Sequence, residues 1–153
     1  MKRTDLKGFA ASMRGPAQVQ IKGALLAAMH EAGDLLAGPI IQETIDATEP
    51  VPVDMAQYRA SWSNKTTGKG SMVASSAKQA VWIERGRGPG PVPLEAIKAW
   101  AARKGIAPEV AFLIARKIAR TGYAPRFVLR RAIESLRPRF GAIVKSYLGT
   151  VTG

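Results

Sequence analysis

Apolar residues recur at three- and four-residue steps through the first third of the chain. They are Ile21, Leu25, Ala28, Ala32, Leu35, Leu36, Ile40, Ile41 and Ile45. This spacing places the apolar side chains on one face of an α-helix. Pro39 cannot donate a backbone hydrogen bond to Leu35, so it kinks the helix. Since the Pro-x-Pro segment that follows ends it, we predict one long, kinked helix over residues 17–48.

After this helix, apolar and polar residues alternate along the chain. Tyr58, Ala60 and Trp62 alternate with polar side chains, which is typical of a half-buried strand. The predicted strands cover residues 58–62, 71–76 and 81–84. Because three short strands are marginal on their own, we predict an antiparallel sheet of three to four strands within residues 56–85. The long helix is expected to cover one face of this sheet.

Five of the six residues from Gly86 to Pro91 are glycine or proline. Glycine raises the entropic cost of ordering the backbone and proline lacks an N–H donor, so this density excludes a packed helix or a central strand. We predict that residues 86–92 form a hinge, which carries the chain away from the sheet into a helical part over residues 93–148.

Three helices are predicted in this helical part. Pro93 and Pro108 suit first helical positions, and Gly105 and Gly122 suit helix ends, while the third helix begins near Pro125. The expected inward positions are Leu94, Ile97, Trp100 and Ala101 in the first helix, Val110, Leu113, Ile114 and Ile118 in the second, and Leu129, Ala132, Ile133, Leu136, Phe140, Ile143, Val144, Tyr147 and Leu148 in the third. With a flexible arm over residues 1–16 and a loose tail over residues 149–153, the prediction is one α+β domain over residues 1–153.

The composition narrows the class of protein. An apolar fraction of 46% is normal for a globular chain, and the absence of cysteine excludes disulfides and thiolate metal sites. Since no stretch approaches the ~20 apolar residues of a membrane span, we expect a protein that is soluble and made in the cytoplasm.

The net charge of +12 is unevenly distributed along the chain. Residues 31–60 carry six acids and one base, a net charge of −5, so the rest of the chain carries +17. This polarity fits a polyanionic partner or self-association between an acidic and a basic face, and it equally fits a solvated basic surface.

No residue pattern predicts catalysis or a cofactor. The single histidine, His30, is expected to form a surface ion pair with Asp34 one helical turn on, because a metal site needs three or four ligands. Gly68-Lys69 lacks the upstream glycine of a phosphate loop, and Pro91 stands where a dinucleotide loop has its third glycine. We therefore expect no enzyme, no cofactor and no metal.

Basic residues concentrate on the last two helices. Those expected to face DNA or another partner are Arg116, Lys117, Arg120, Arg126, Arg130 and Arg131. This charge allows sequence-independent contact with phosphates, whereas the length of the last predicted helix and its core-like face argue against base-specific reading. A basic DNA-binding accessory protein is thus one function class, and an antitoxin-like or adaptor module is another that only the size supports.

Three short segments stand in order along the chain. The first is Pro52-Val53-Asp54 followed by Arg59-Ala60-Ser61-Trp62, the second is Trp82-Ile83-Glu84-Arg85-Gly86, and the third is Gly122-Tyr123-Ala124-Pro125-Arg126-Phe127. Their order resembles that in a family of neck and tail-completion proteins of long-tailed bacteriophages. That family has a turn leading into a strand, then an aromatic-rich strand that ends in Glu-x-Gly, and then a Gly-x-x-Pro-x-Phe segment that opens its last helix. Met55-Ala56 departs from the Thr-Gly that the family usually has after the turn. The two helices over residues 93–120 resemble an insertion seen in some members.

The resemblance implies a structural virion protein of the head–tail junction. Such proteins form rings, commonly hexameric, which join the head connector to the tail tube and leave an axial channel for DNA. The implied partners are copies of the chain itself and the connector and tail-tube proteins, with no membrane and no small-molecule substrate. A channel of this kind also allows non-specific contact with genomic DNA. The implied location is the virion, after synthesis in the bacterial host cytoplasm.

The hinge segment is the expected ring contact. If residues 81–84 form a strand, Trp82 and Ile83 point to opposite faces, so one of them is left for a neighbouring subunit. Charged residues at the exposed end of that strand would meet an acidic surface of the next subunit. The predicted interface residues are Trp82, Glu84, Arg85, Arg87, Glu43, Asp46 and Asp54. The alternative is that Trp82 fills the subunit core and the arginines are solvated.

Overall fold

The computed structural model describes residues 15–48 and 56–152. Its helices are α1 (Pro16–Leu35), a π-helical turn (Leu36–Ile40), α2 (Ile41–Asp46), α3 (Gln57–Ala60), α4 (Ala80–Arg85), α5 (Leu94–Arg103), α6 (Pro108–Thr121) and α7 (Val128–Thr152), and its strands are β1 (Trp62–Thr67) and β2 (Gly70–Ser75). This order confirms the α+β class, with a long N-terminal helix, an antiparallel sheet and three C-terminal helices. The described sheet has two strands, fewer than the three to four predicted.

The kink in the long helix is confirmed. Gly38 has non-helical torsions (φ −97°, ψ −107°), and Pro39 lies inside the π-helical turn directly after it. The missing N–H of Pro39 explains why regular α-helical bonding is interrupted here. At the other end of the chain the expectation of a loose tail is wrong, because α7 continues to Thr152. The expected arm lies outside the described residues up to residue 14.

The predicted strands over residues 58–62 and 81–84 are wrong. Tyr58 lies in the single helical turn α3 and is only 1% exposed, and the strand begins at Trp62. Residues 81–84 belong to α4, where the Ile83 amide donates to the Gln79 carbonyl (3.0 Å). A short apolar run is compatible with a helix and with a strand. Here the hydrogen bonds made at the C-terminal end of the run favour the helix. The final carbonyls of α4, at Ile83 and Glu84, accept bonds from amides of the segment before α7.

The described residues separate into two compact units. One comprises residues 15–41, Trp62–Ala74 and 132–152, and the other comprises residues 42–48, 56–61 and Ser75–Arg131. A single domain over residues 1–153 stays a prediction.

In the first unit, α1 packs against the β-hairpin. The Asn64 side-chain amide of β1 donates to the Asp34 carboxylate (2.9 Å) and to the His30 carbonyl (3.3 Å). The His30 ring Nε2 lies 3.1 Å from the Thr67 carbonyl oxygen. The expected ion pair between His30 and Asp34 is therefore replaced by bonds from each side chain to the hairpin. The prediction that the long helix covers the sheet is confirmed for this hairpin.

The first unit has an apolar core between α1 and the second half of α7. Ala28, Ala32 and Ile143 are buried there, and Leu35, Leu136, Val144 and Tyr147 pack around them. A hydrogen bond between the Tyr147 hydroxyl and the Glu31 carboxylate raises the pKa of Tyr147 above its usual 10.0. Small residues on α1 allow α7 to approach closely. Leu25, expected inside, is 39% exposed, and Ile133 and Phe140 of α7 are 44% and 39% exposed.

Gly33 lies where α1 meets the hairpin most closely. A Cβ atom added there would lie 2.6 Å from the Asn64 amide nitrogen and 2.7 Å from the Ser71 Cβ, which requires a shift of the hairpin. We expect Gly33→Ala to destabilise the fold by about 1–3 kcal/mol through overpacking. Gly23 is an interior glycine of the same helix with open space around it, so Gly23→Ala is expected to stabilise by about 0.4–1 kcal/mol. Urea unfolding of both variants measures this; the same sign for both would contradict the contact.

In the second unit, α5 and α6 form a helical hairpin. Three predicted helix ends are confirmed within one residue: Pro93 precedes α5, Pro108 opens α6 and Gly122 follows its last residue. The other two are less exact, since α5 ends two residues before Gly105 and α7 begins three residues after Pro125. The inward face of α6 was predicted correctly at Ile114 and Ile118, which are half-buried, and incorrectly at Val110 and Leu113. Ala111 and Ala115 are buried, whereas Val110 and Leu113 are 44% and 59% exposed. Ala101 of α5 is buried as well, so small residues again line the helix contact.

The helical stretch Ala17–Asp46 could span a membrane by length and apolar composition alone. This corrects the expectation that no segment is apolar enough. The core helix of a soluble protein meets the same criterion, and 39% of the most apolar part of this helix is buried within the structure. The finding is therefore weak evidence for a membrane span.

Candidate contact surface

The Gly/Pro segment after α4 is held against the segment that connects α6 to α7. Arg87 and Tyr123 form an antiparallel bridge, with N–O distances of 3.0 Å and 2.9 Å. The Gly90 amide donates to the Ala119 carbonyl (2.9 Å). Gly86 has a φ of 71°, and a Cβ there would lie 2.6 Å from the Tyr123 carbonyl oxygen, so only glycine allows this approach. Residues 86–92 lead from α4 to the helical part that begins with α5, and these bonds hold them against α6 and the segment after it.

Glu84 closes the N-terminus of α7. Its two carboxylate oxygens accept hydrogen bonds from the amides of Leu129 (2.8 Å) and Arg130 (3.0 Å), the second and third residues of that helix. These amides have no partner within their own helix, and a negative charge at this end is favourable to the helix dipole. Glu84 was predicted at an exposed strand end as an interface residue. The structure instead gives it an internal role: it fixes the direction in which α7 starts.

Three exposed aromatic rings and three arginines meet around this junction. The Arg87 guanidinium lies over the Trp82 ring (5.9 Å to the ring centre), and the Arg130 guanidinium lies over the Phe127 ring (5.6 Å). Trp82, Tyr123 and Phe127 are 48%, 37% and 39% exposed. We call this surface the Arg–aromatic patch, defined by Trp82, Arg87, Tyr123, Arg126, Phe127 and Arg130.

The patch is built by hydrogen bonds of the backbone. Amides of Arg126 and Phe127 donate to the carbonyls of Ile83 (2.9 Å) and Glu84 (3.4 Å). Phe127 has a φ of 50°, which is uncommon for a bulky residue and needs such support. The backbone positions that carry Tyr123 and Phe127 are thus held by hydrogen bonds.

Burial and neighbouring charges both act on the pKa of the Tyr123 hydroxyl in the patch. Partial burial raises the pKa of the Tyr123 hydroxyl above its usual 10.0, while the positive charges of Arg87 and Arg126 act in the opposite direction. The hydroxyl therefore stays protonated at neutral pH and can donate a hydrogen bond. Its position beside two arginines makes an anionic or carbonyl acceptor the natural partner.

The predicted interface residues are only partly brought together. Trp82 and Arg87 lie in the patch, and Arg85 is exposed at the end of α4. Of the predicted acidic surface, Glu43 is exposed, and Asp46 pairs with Arg59 of the same chain. Asp54 lies outside the described residues. The Asp46 carboxylate is thus already engaged within the subunit.

The six basic residues predicted to face a partner fall into three groups. Arg126 and Arg130 belong to the Arg–aromatic patch. Arg131 donates to the Thr48 hydroxyl (3.1 Å). Arg116, Lys117 and Arg120 are exposed on α6.

Sequence reasoning missed Tyr123 and Phe127 as surface residues. The sequence contains a signal for them, because both belong to the Gly-x-x-Pro-x-Phe segment that carries the family resemblance.

Among the described residues, no group of three His, Asp or Glu side chains is arranged to hold a metal ion. Comparison of the chain with protein-family models, with curated proteins and with solved structures yields no match.

Proposed function

We propose that this chain is a structural protein of the head–tail junction of a long-tailed bacteriophage, and that it assembles into a closed homo-oligomeric ring. The observation that carries the proposal is a contact between two of the three segments on which the resemblance rests, although the first of these two is helical here where the family has a strand. Residues 82–86 and 122–127 are about forty positions apart in sequence, yet they are joined by backbone hydrogen bonds. Two motifs that bond to each other in the folded chain have a physical reason to occur in the same sequence. Two motifs that match by chance would have no such reason.

The Arg–aromatic patch is the proposed contact between neighbouring subunits. Tryptophan, tyrosine and arginine are enriched among the residues that dominate the energetics of protein interfaces. The two aromatic residues bury much area with only two side-chain torsions, and arginine offers five N–H donors. The patch contains all three types on backbone segments that hydrogen bonds already hold in place, so little backbone entropy is lost when a neighbour binds. A ring requires that this surface meet a different surface on the next copy. The exposed acidic residue Glu43 is one group that such a surface could present to Arg85 or Arg87.

The assembled protein would sit between the head connector and the tail tube of the virion, after synthesis in the cytoplasm of the bacterial host. An axial channel through the ring would leave room for the genome. A hexamer is the expected ring, because it is the common form in the family that the chain resembles.

The mass of the purified protein in solution tests the proposal. Size-exclusion chromatography with light scattering should give one species near six times the 16.4 kDa of a single chain, with annular particles in negative-stain images. A monomer or dimer at every concentration would contradict the ring. If that small species bound duplex DNA, the alternative of a DNA-binding accessory protein would replace the proposal.

A further inference from the structure

One surface of α6 is basic, exposed and unused by the Arg–aromatic patch. Arg116, Lys117 and Arg120 lie in the second half of the helix and are exposed to solvent. Glu109 is the only acidic residue of α6, and it lies in the first turn, where negative charge favours the helix dipole. The second half of α6 therefore presents positive charge alone.

These three cations are not placed for ion pairs along the helix. Such a pair needs an acidic residue three or four positions away. The residues three and four positions before Arg116 are Leu113 and Phe112, and those before Arg120 are Lys117 and Arg116. On α5, by contrast, Lys98 pairs with Glu95 at a distance of 2.9 Å. Arg116 and Arg120 repel each other at a spacing of four residues, whereas Arg120 in the last turn is favourable to the helix dipole.

A repulsive cluster of this kind is suited to an external anion. Arg116 and Arg120 are one helical turn apart, which is about 6 Å along the axis. The phosphates of one DNA strand form a dense row of negative charge, one per about 3.4 Å of the duplex axis, so two cations one helical turn apart can each face a phosphate of the same strand. Phe112 and Leu113, 52% and 59% exposed, extend the same surface with apolar atoms that can lie against sugars.

We infer that the second half of α6 binds the phosphate backbone of nucleic acid, independently of base sequence, through Arg116, Lys117 and Arg120. The inference goes beyond the proposed ring and does not depend on it. Within a ring, this surface would give the protein a direct contact with DNA. Outside a ring, the same three side chains would still bind a duplex.

A matched pair of variants tests the inference. The first carries Arg116→Gln, Lys117→Gln and Arg120→Gln. The control carries Arg137→Gln, Arg139→Gln and Lys145→Gln, which removes the same charge from exposed positions of α7. Fluorescence anisotropy with a labelled duplex of about 30 base pairs gives the affinity at salt concentrations from about 50 to 200 mM. Circular dichroism and light scattering establish that each variant keeps its fold and its mass.

The wild-type affinity should fall steeply with salt, since each phosphate contact releases counterions and contributes about 0.9 to the logarithmic slope. The α6 variant should lower the magnitude of that slope by about 2 to 3, and the α7 control should leave it nearly unchanged. Equal losses in both variants would overturn the inference, because net charge alone would then explain binding. So would absence of binding by the wild type at the lowest salt, which would assign the cations to an acidic protein neighbour.

The two proposals fail separately in this experiment. A wild-type protein that is monomeric but loses DNA binding with the α6 variant would refute the ring and support the inference. A protein that forms a ring but binds no duplex would support the ring and refute the inference.

Discussion

The double variant Trp82→Ala, Arg87→Glu is expected to keep its fold and lose the ring. Trp82 is 48% exposed, so its side chain contributes little to the interior of the subunit. Removing a central aromatic anchor from an interface costs about 2 kcal/mol or more, and reversing the charge beside it adds repulsion from any acidic partner. Because each subunit of a closed ring makes this contact, the loss applies at every junction. Light scattering should show a shift from the ring to small species.

The control for this variant is Arg139→Glu, which makes the same charge reversal on an exposed residue of α7. It should leave the mass unchanged. The Arg87 side chain also donates to the Pro91 carbonyl, so circular dichroism must establish that the loop survives. Trp82→Ala alone keeps that bond and should weaken the ring in the same direction. Rings of normal mass and stability in both Trp82 variants would exclude the Arg–aromatic patch as the subunit contact.

Ile143→Ala is expected to destabilise the protein by about 2–4 kcal/mol. Its side chain is 9% exposed and fills the space between the small residues Ala28 and Ala32 of α1. Shortening it removes apolar contacts and leaves a cavity that rigid helices cannot close. Thermal and urea unfolding give the change in the free energy of unfolding.

Leu25→Ala is the matched control for this cavity. Leu25 lies on the same helix α1, and the periodicity of the sequence makes it a core residue, but it is 39% exposed. Its truncation should cost only about 1 kcal/mol, since much of its surface already meets water. If Leu25→Ala cost as much as Ile143→Ala, the burial of α1 described here would be wrong.

The sequence by itself determined the helices whose ends carry proline and glycine. Pro108 and Gly122 bound α6 because proline fits the first turn and glycine can adopt the φ of 66° found after the last residue. Gly38 and Pro39 likewise determined the kink of the long helix. These signals are local, since the residue's own backbone restricts the conformation whatever it packs against.

The sequence did not determine which apolar residues face inward. Periodicity favoured the large residues Val110 and Leu113 on α6, but the helix packs through Ala111 and Ala115, which lie one or two positions further along. Close helix contacts favour small side chains, and a hydrophobicity pattern weights them least. Which face of α6 is covered depends on the distance to α5, and that distance is a property of the folded chain.

Only the tertiary structure decided the state of residues 81–84 and the existence of the Arg–aromatic patch. The apolar run fits either a helix or a strand, and it is a helix whose last carbonyls accept bonds from amides of Arg126 and Phe127. The same contact brings Glu84 to the start of α7, where it caps the helix. Bonds between segments forty residues apart leave no local trace in the sequence. For that reason the motif residues could be found from the sequence, while their assembly into one surface could not.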